Sequence, residues 1–221
     1  MGKGRAVVLL SGGIDSATTL YYARKRGYVC LPLIFDYGQR HKREIKSARD
    51  IAGSLNLKPT VMRIKFPWKG SSLLDKKMRL PGKRNKGIPN TYVPGRNTVF
   101  LSYALSYAES IRAKAIFIGA HSEDYSGYPD CRAVYFDAFR ILKNLGTEYG
   151  ARIKVYTPLI KMKKKNIISL GRRLKVPFQY TWSCYSGGKR PCGKCDSCYY
   201  RAKGFREAKL VDPLVEEEGH C

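Results

Sequence analysis

Leu9-Leu10-Ser11-Gly12-Gly13-Ile14-Asp15-Ser16 is the stretch on which the reading of this chain turns. The apolar run Ala6 to Leu10 is long enough for one buried strand, and Ile14, Ala17, Leu20 and Tyr21 then recur at helical spacing. The two glycines therefore fall in a turn between a strand and a helix. Without a Cβ, glycine lets the backbone approach a ligand and adopt unusual angles. The helix start that follows offers unpaired N–H groups and a positive dipole end. Ser11 and Ser16 add hydroxyls, and together these make a phosphate cradle. An ordinary turn with Asp15 or Ser16 near the cap is the plainer reading, but three small residues followed by Asp-Ser are more than a turn needs. The lysine of the Walker loop and the dinucleotide glycine spacing are both missing.

Outward from the loop, the pattern continues as strand and helix in alternation. The first helix runs to about Arg26, with Gly27 as its stop. Cys30 to Phe35 predicts a second strand, about His41 to Leu55 a second helix, and Val61 to Ile64 a third strand. This βαβαβ start implies a parallel sheet with ligands outside the carboxyl ends of its strands. Asp36-Tyr37-Gly38-Gln39 lies at such an end, either as a nucleotide contact or as a plain turn. Residues 66–92 break the pattern with seven lysines and arginines among Pro and Gly, a length typical of a lid or of a solvated loop. Val93-Pro94-Gly95-Arg96-Asn97-Thr98 opens a further helix that Phe100, Tyr103, Ala104, Tyr107, Ala108 and Ile111, with Leu101 and Leu105 broadening the face, mark as largely buried. An arginine at a helix start opposes the dipole, which points Arg96 at a phosphate or carboxylate, or simply at water.

Ala115 to Gly119 predicts a fourth strand. The polar and aromatic residues that follow it, Ala120 to Arg132, have the composition of a substrate pocket. Within it His121 alone reads as a hydrogen-bonded structural residue, and Asp124 and Asp130 serve equally well as turn or cap residues. A helix carrying Val134, Ala138, Ile141, Leu142 and Leu145 comes next, then a fifth strand, Ile153 to Tyr156. The last predicted helix spans about 163–174, and Lys163-Lys164-Lys165 reads as its solvated start. The fold class is therefore α/β, a parallel five-stranded sheet flanked by helices.

The chain has 221 residues, 43% of them hydrophobic, which suits one domain, 1–221, with a good core. No run of 18 apolar residues exists, so no membrane span is expected. No apolar signal segment precedes the first strand, which points to the cytosol. The net charge is +25, from 42 basic and 17 acidic residues. Such a field attracts polyanions without specifying one, so RNA or DNA contact and a generally basic surface both remain open.

Cys184, Cys192, Cys195 and Cys198 fall within 15 residues. Four thiolates suit tetrahedral zinc in a closed, structural site at about 180–205, one ion per chain. Lys189, Arg190, Lys194 and Arg201 lie close enough in sequence to offset the charge. An iron–sulfur cluster competes, but the basic shell and the lack of a redox partner motif favour zinc. Cys30 reads as core and Cys221 as free. Cys131, beside Arg132, is a packed thiol or a nucleophile.

The loop Ser11–Ser16 resembles the pyrophosphate-binding loop of the N-type ATP pyrophosphatases. Leu9-Leu10-Ser11-Gly12-Gly13-Ile14-Asp15-Ser16-Ala17-Thr18-Thr19, Asp36-Tyr37-Gly38-Gln39, Val93-Pro94-Gly95-Arg96-Asn97-Thr98, Asp124-Tyr125-Ser126-Gly127-Tyr128-Pro129-Asp130-Cys131-Arg132 and the four cysteines together resemble the 7-cyano-7-deazaguanine synthase family, from Val7 to about Phe205. The resemblance implies an adenine nucleotide α-hydrolase-like fold. It also implies a ligase that turns 7-carboxy-7-deazaguanine, ammonia and ATP into a nitrile for queuosine or archaeosine synthesis. On that reading Leu9 to Thr19 hold ATP and Mg²⁺, with Ser11, Asp15, Ser16 and Arg96 in the chemistry. Asp124, Tyr125, Tyr128, Asp130 and Arg132 bind the substrate. A homodimer is expected only because dimers are the commonest oligomers. Two alternatives stay open: a tRNA-modifying enzyme with the same loop, and a zinc-ribbon nucleic-acid-binding protein, which leaves the loop unexplained.

Overall fold

Five parallel strands form one sheet in the order β3-β2-β1-β4-β5 in the computed structural model, which describes residues 2–81, 87–121 and 128–215. The strands are β1 (Arg5–Leu9), β2 (Val29–Asp36), β3 (Thr60–Arg63), β4 (Ala115–Phe117) and β5 (Lys154–Tyr156). The helices are α1 (Ile14–Lys25), α2 (Arg43–Gly53), α3 (Arg96–Ser110), α4 (Ala133–Gly146), α5 (Lys164–Arg173) and α6 (Asp196–Glu207). The predicted strands and helices are present, each boundary within a few residues. Helix α6 was not anticipated.

Alternation along β1 sorts the two cores, because successive side chains on a strand point to opposite faces. Ala6 and Val8 pack under α1, α2, α5 and α6 with Leu20, Ile51 and Ile167. Val7 and Leu9 pack under α3 and α4 with Leu101, Phe136 and Ile153. Val7 pairs with Leu31 of β2 on one side and Ile116 of β4 on the other. Chain order therefore reverses at β1, and the crevice between the ends of β1 and β4 is the topological switch point where open α/β sheets bind ligands.

Helix α3 buries a narrower stripe than its apolar periodicity suggests, and α4 a different one. In α3 the buried side is Leu101, Ala104, Leu105 and Ala108, whereas Tyr103 is exposed. In α4 the buried residues are Phe136, Phe139 and Lys143, and Val134, Ile141, Leu142 and Leu145 face outward, Leu145 at 83% exposure. The aromatic pair buries more area on the sheet than the aliphatic stripe would, and aromatic area dominates core energetics. Cys30 is buried as expected, and burial pushes its thiol up to about 11. Cys221 lies outside the described residues. Among the described residues no helix is long and apolar enough to cross a membrane.

Candidate active site

The loop between β1 and α1 is built by its own hydroxyls. Ser16 Oγ accepts from the Ser11 N–H at 3.2 Å and from the Ser11 hydroxyl at 3.0 Å, and donates to the Gly13 carbonyl at 3.1 Å. Gly12 has φ +87°, and a Cβ there would meet the Glu44 carbonyl and the Ala48 nitrogen of α2. Only glycine permits that approach. Across the crevice Gly119, just past β4, lies so close that a Cβ would come within 2.8 Å of the Asp15 carbonyl oxygen.

Asp15 is the charged centre of the loop. Lys164, in the first turn of α5, donates to both its oxygens at 3.0 and 2.9 Å, and His121 Nε2 stands 3.4 Å away. Lys164 Nζ and His121 Nε2 are 3.3 Å apart. Burial alone would push this carboxyl up, but the Lys164 ammonium and His121 outweigh it and hold Asp15 well below the usual carboxylate range. Lys164 is thus no solvated lysine. It is a site residue that the sequence does not single out, and His121 is more than a structural one.

A cavity of about 300 Å³ opens from this loop. Its lining includes Leu9, Leu10, Ser11, Gly13, Ile14, Asp15 and Ser16, together with Arg96, Asn97, Tyr128 and Cys131. Arg96 is directed inward rather than at water. Its guanidinium donates to the Tyr37 hydroxyl at 3.3 Å, and Tyr37, Tyr128, Cys131 and Tyr185 around it outweigh the cost of burying the charge. Tyr37 and Gln39 bring the end of β2 into the wall, whereas Asp36 turns toward Lys42 at 3.5 Å. Glu44 of α2, which carries no sequence signal, also lines the cavity. Burial pushes its carboxyl up to about 7, partly offset by Arg96 and a hydrogen bond with Gln39.

The substrate residues expected after β4 divide. Tyr128 lines the cavity, shares a 2.6 Å hydrogen bond with the Thr91 hydroxyl and stacks on Tyr92. Asp130 is occupied elsewhere: its carboxylate accepts the Asn97 N–H at 2.9 Å, and its carbonyl accepts from Asn97 Nδ2 at 3.0 Å. It caps the start of α3. Arg132 is exposed ahead of α4 and does not join the wall. Asp124 and Tyr125 lie outside the described residues. The basic segment 66–92 is not wholly solvated. Leu73 is buried against the cavity, and Arg40 donates to the carbonyls of Ser72 and Met78.

The four cysteines converge. The Sγ atoms of Cys184, Cys192, Cys195 and Cys198 lie within 4.8 Å of one another, and a regular Zn–S₄ tetrahedron has S–S edges of about 3.8 Å. Backbone N–H groups of Ser186 and Cys192 donate to Cys184 Sγ, at 3.4 and 3.3 Å. The donor set therefore fits one tetrahedral ion. Lys189, Arg190 and Lys194 are exposed around it. Arg201 instead forms a buried bidentate pair with Asp212, at 2.6 and 2.8 Å, and pins α6 to the following chain. The cluster is stitched to the phosphate loop through Trp182. Its backbone N–H donates to the Gly12 carbonyl at 2.8 Å, its indole donates to the Cys184 carbonyl at 2.8 Å, and Arg43 stacks over its ring.

These features define a class: a parallel α/β fold with a glycine-rich loop at the sheet's switch point and, beside it, a cluster of four cysteines with the geometry to hold a metal. The NMN synthetase of Francisella tularensis shares the fold, with a TM-score of 0.50 at 18% identity over 96% of this chain and 81% of that one. The sequence model of the queuosine biosynthesis protein QueC matches residues 5–209, and the chain belongs to that family. It is 50% identical to the 7-cyano-7-deazaguanine synthase of Picrophilus torridus, over 97% of this chain and 92% of that protein. It is 48% identical to the protein of that name from Trichodesmium erythraeum, over 96% of this chain and 100% of that protein. Against that of Thermoplasma acidophilum it is 47% identical, over 99% and 94%.

Proposed function

We propose that this chain is an ATP-dependent ligase that converts 7-carboxy-7-deazaguanine and ammonia into 7-cyano-7-deazaguanine. The observation that carries the reading is the near full-length similarity to proteins of that name, joined to a phosphate loop that opens into an aromatic, charged cavity. The substrate carboxylate attacks the α-phosphorus of ATP and pyrophosphate leaves. Ammonia displaces AMP to give the amide. The amide oxygen is activated in the same way, and loss of AMP yields the nitrile.

The residues suit these steps. The N–H groups and hydroxyls of Ser11 to Ser16 receive the leaving pyrophosphate, whose developing charge is stabilised best by donors already in place. Ala17, Thr18 and Thr19 continue the helix that aims its dipole there. Lys164 supplies positive charge, and His121 a ring nitrogen, beside the same phosphates. Mg²⁺ shields phosphate charge, and Asp15 is the carboxylate the loop offers it, in keeping with magnesium's habit of taking one or two carboxylates plus substrate phosphates. Arg96 faces the acceptor carboxylate. Cys184, Cys192, Cys195 and Cys198 hold Zn²⁺ as a structural ion that fixes Trp182, and through it Gly12. Two copies pair through the outward stripe of α4, where Val134, Ile141, Leu142 and Leu145 are exposed in a chain of charge +25. The setting is the cytosol, and nucleic acid is not required for turnover.

The experiment is AMP and pyrophosphate release by the purified protein, with and without 7-carboxy-7-deazaguanine plus ammonium. Release that depends on the deazapurine, with the nitrile seen by mass spectrometry, supports the reading. Release that depends on tRNA instead moves the chain to the tRNA-modifying alternative. No release refutes both.

A further inference from the structure

One cavity is lined by both a carboxyl, Glu44, and a guanidinium, Arg96, that do not pair with each other. Glu44 stands in the first turn of α2 and Arg96 in the first turn of α3, so two helix starts deliver opposite charges to one space. The Arg96 charge acts on the Glu44 carboxyl, yet no ion pair joins the two. Arg96 is drawn aside by the Tyr37 hydroxyl at 3.3 Å. Glu44 is held by Gln39, whose own orientation is fixed: its Oε1 accepts the Tyr37 N–H at 2.8 Å and its Nε2 donates to the Phe35 carbonyl at 3.2 Å. One Nε2 hydrogen is left for Glu44. Buried opposite charges held apart are costly unless something bridges them. The phosphate loop provides for anions, so this second polar pair is set for a different group.

The bridging group must offer N–H donors to Glu44 and an acceptor to Arg96, side by side on a flat body. Tyr37, Phe100 and Tyr128 line the cavity around the pair as stacking surfaces. A 2-aminopyrimidin-4-one edge meets the demand: a ring N–H and an exocyclic amine for the carboxylate, and the adjoining carbonyl for the guanidinium. An adenine edge fails, because it turns a ring-nitrogen lone pair toward the carboxylate. We propose that Glu44 is the specificity-determining residue of the deazapurine subsite, accepting the ring N–H and the 2-amino N–H, while Arg96 spans the neighbouring carbonyl oxygen and the substrate carboxylate beside it. This deepens, and rests on, the ligase reading above. It also takes over the task that the sequence suggests for Asp130, whose carboxylate is spent on Asn97.

The test compares AMP release from 7-carboxy-7-deazaguanine and from its analogue lacking the 2-amino group, for the wild type, Glu44→Gln and Glu44→Asp. A hydrogen bond to a charged group contributes about 1.5–3 kcal/mol. The wild type should therefore prefer the amino compound by roughly 10- to 100-fold in kcat/KM. Glu44→Gln should shrink that preference to a few-fold while the KM for ATP stays within about threefold. Glu44→Asp, which keeps the carboxylate on a shorter stem, should retain part of the preference and remains informative if the glutamine variant fails to fold. Full discrimination retained in Glu44→Gln overturns the assignment. So does a rise in the KM for ATP with no change for the deazapurine, which would place Glu44 at the nucleotide instead. No turnover of either compound by the wild type refutes the ligase reading itself, and the subsite with it.

Discussion

Lys164→Met should separate what the Asp15–Lys164 contact does for folding from what it does for the nucleotide. The change removes the ammonium that touches both Asp15 oxygens, at 3.0 and 2.9 Å, with the lysine side chain 13% exposed. Breaking a buried pair by deleting one partner costs about 3–5 kcal/mol. Here His121 remains 3.4 Å from the carboxylate and the cavity admits water, so a loss of about 2–3 kcal/mol at pH 7 is expected. The loss fades with acid. Asp15 in the folded wild type titrates below its ordinary value of 3.8, so the pair's stabilisation is complete above that pH and disappears as pH falls below it. Without Lys164, burial dominates and raises the carboxyl, so the variant loses stability as pH rises above about 4. The gap between wild type and variant in urea unfolding should therefore widen from pH 4 to pH 7. Asp15→Asn combined with Lys164→Met leaves no buried charge uncompensated and should recover most of the stability. It should not recover turnover, since a lost contact to phosphate of about 1.5–3 kcal/mol weakens nucleotide binding roughly 10- to 100-fold. A Lys164→Met protein that unfolds with the wild type at both pH values and keeps its KM for ATP would refute this account of the loop.

Three further outcomes follow from other contacts. Stripping the metal with a thiol-reactive mercurial and a chelator should abolish AMP release and shift tryptophan fluorescence together, because Trp182 joins the Cys184 carbonyl to the Gly12 carbonyl; elemental analysis should find one zinc per chain, and activity unchanged after metal loss would break that link. Glu44 is raised from 4.5 to about 7, so the ligand-free protein should lose stability as pH climbs through that window and level off above it, by at most about 3 kcal/mol; Glu44→Gln should flatten the slope in thermal melts at pH 5, 6 and 7. Ile141→Glu with Leu145→Glu should convert a dimer to a monomer in light scattering and leave the fold intact, whereas a wild type that is already monomeric at micromolar concentration removes α4 as an interface.

What the sequence reveals and what it hides divide along the distance over which a residue acts. The phosphate loop is legible because its demands are local: Gly12 needs φ +87° and room beside α2, and Ser16 closes on Ser11 five residues away. The cysteine cluster is legible because a metal dictates ligand type and close spacing. Lys164 is hidden because its partner is 149 residues away, and nothing in Lys163-Lys164-Lys165 says which lysine points inward. Glu44 is hidden for a similar reason, since on an amphipathic helix a glutamate in the first turn already has a sufficient explanation in the dipole. In α4 both faces are apolar, and only the sheet beneath decides that Phe136 and Phe139 go in while Leu145 stays out. Helix α6 escaped notice because its start reads as metal ligands: Cys195 precedes it and Cys198 lies in its first turn. The residues that set charge in the crevice thus come from the first turns of four helices, α1, α2, α3 and α5, which the parallel order of the sheet gathers around one loop. Topology, rather than any one motif, places Glu44, Arg96 and Lys164 around a common cavity, and each alone reads as ordinary helix chemistry.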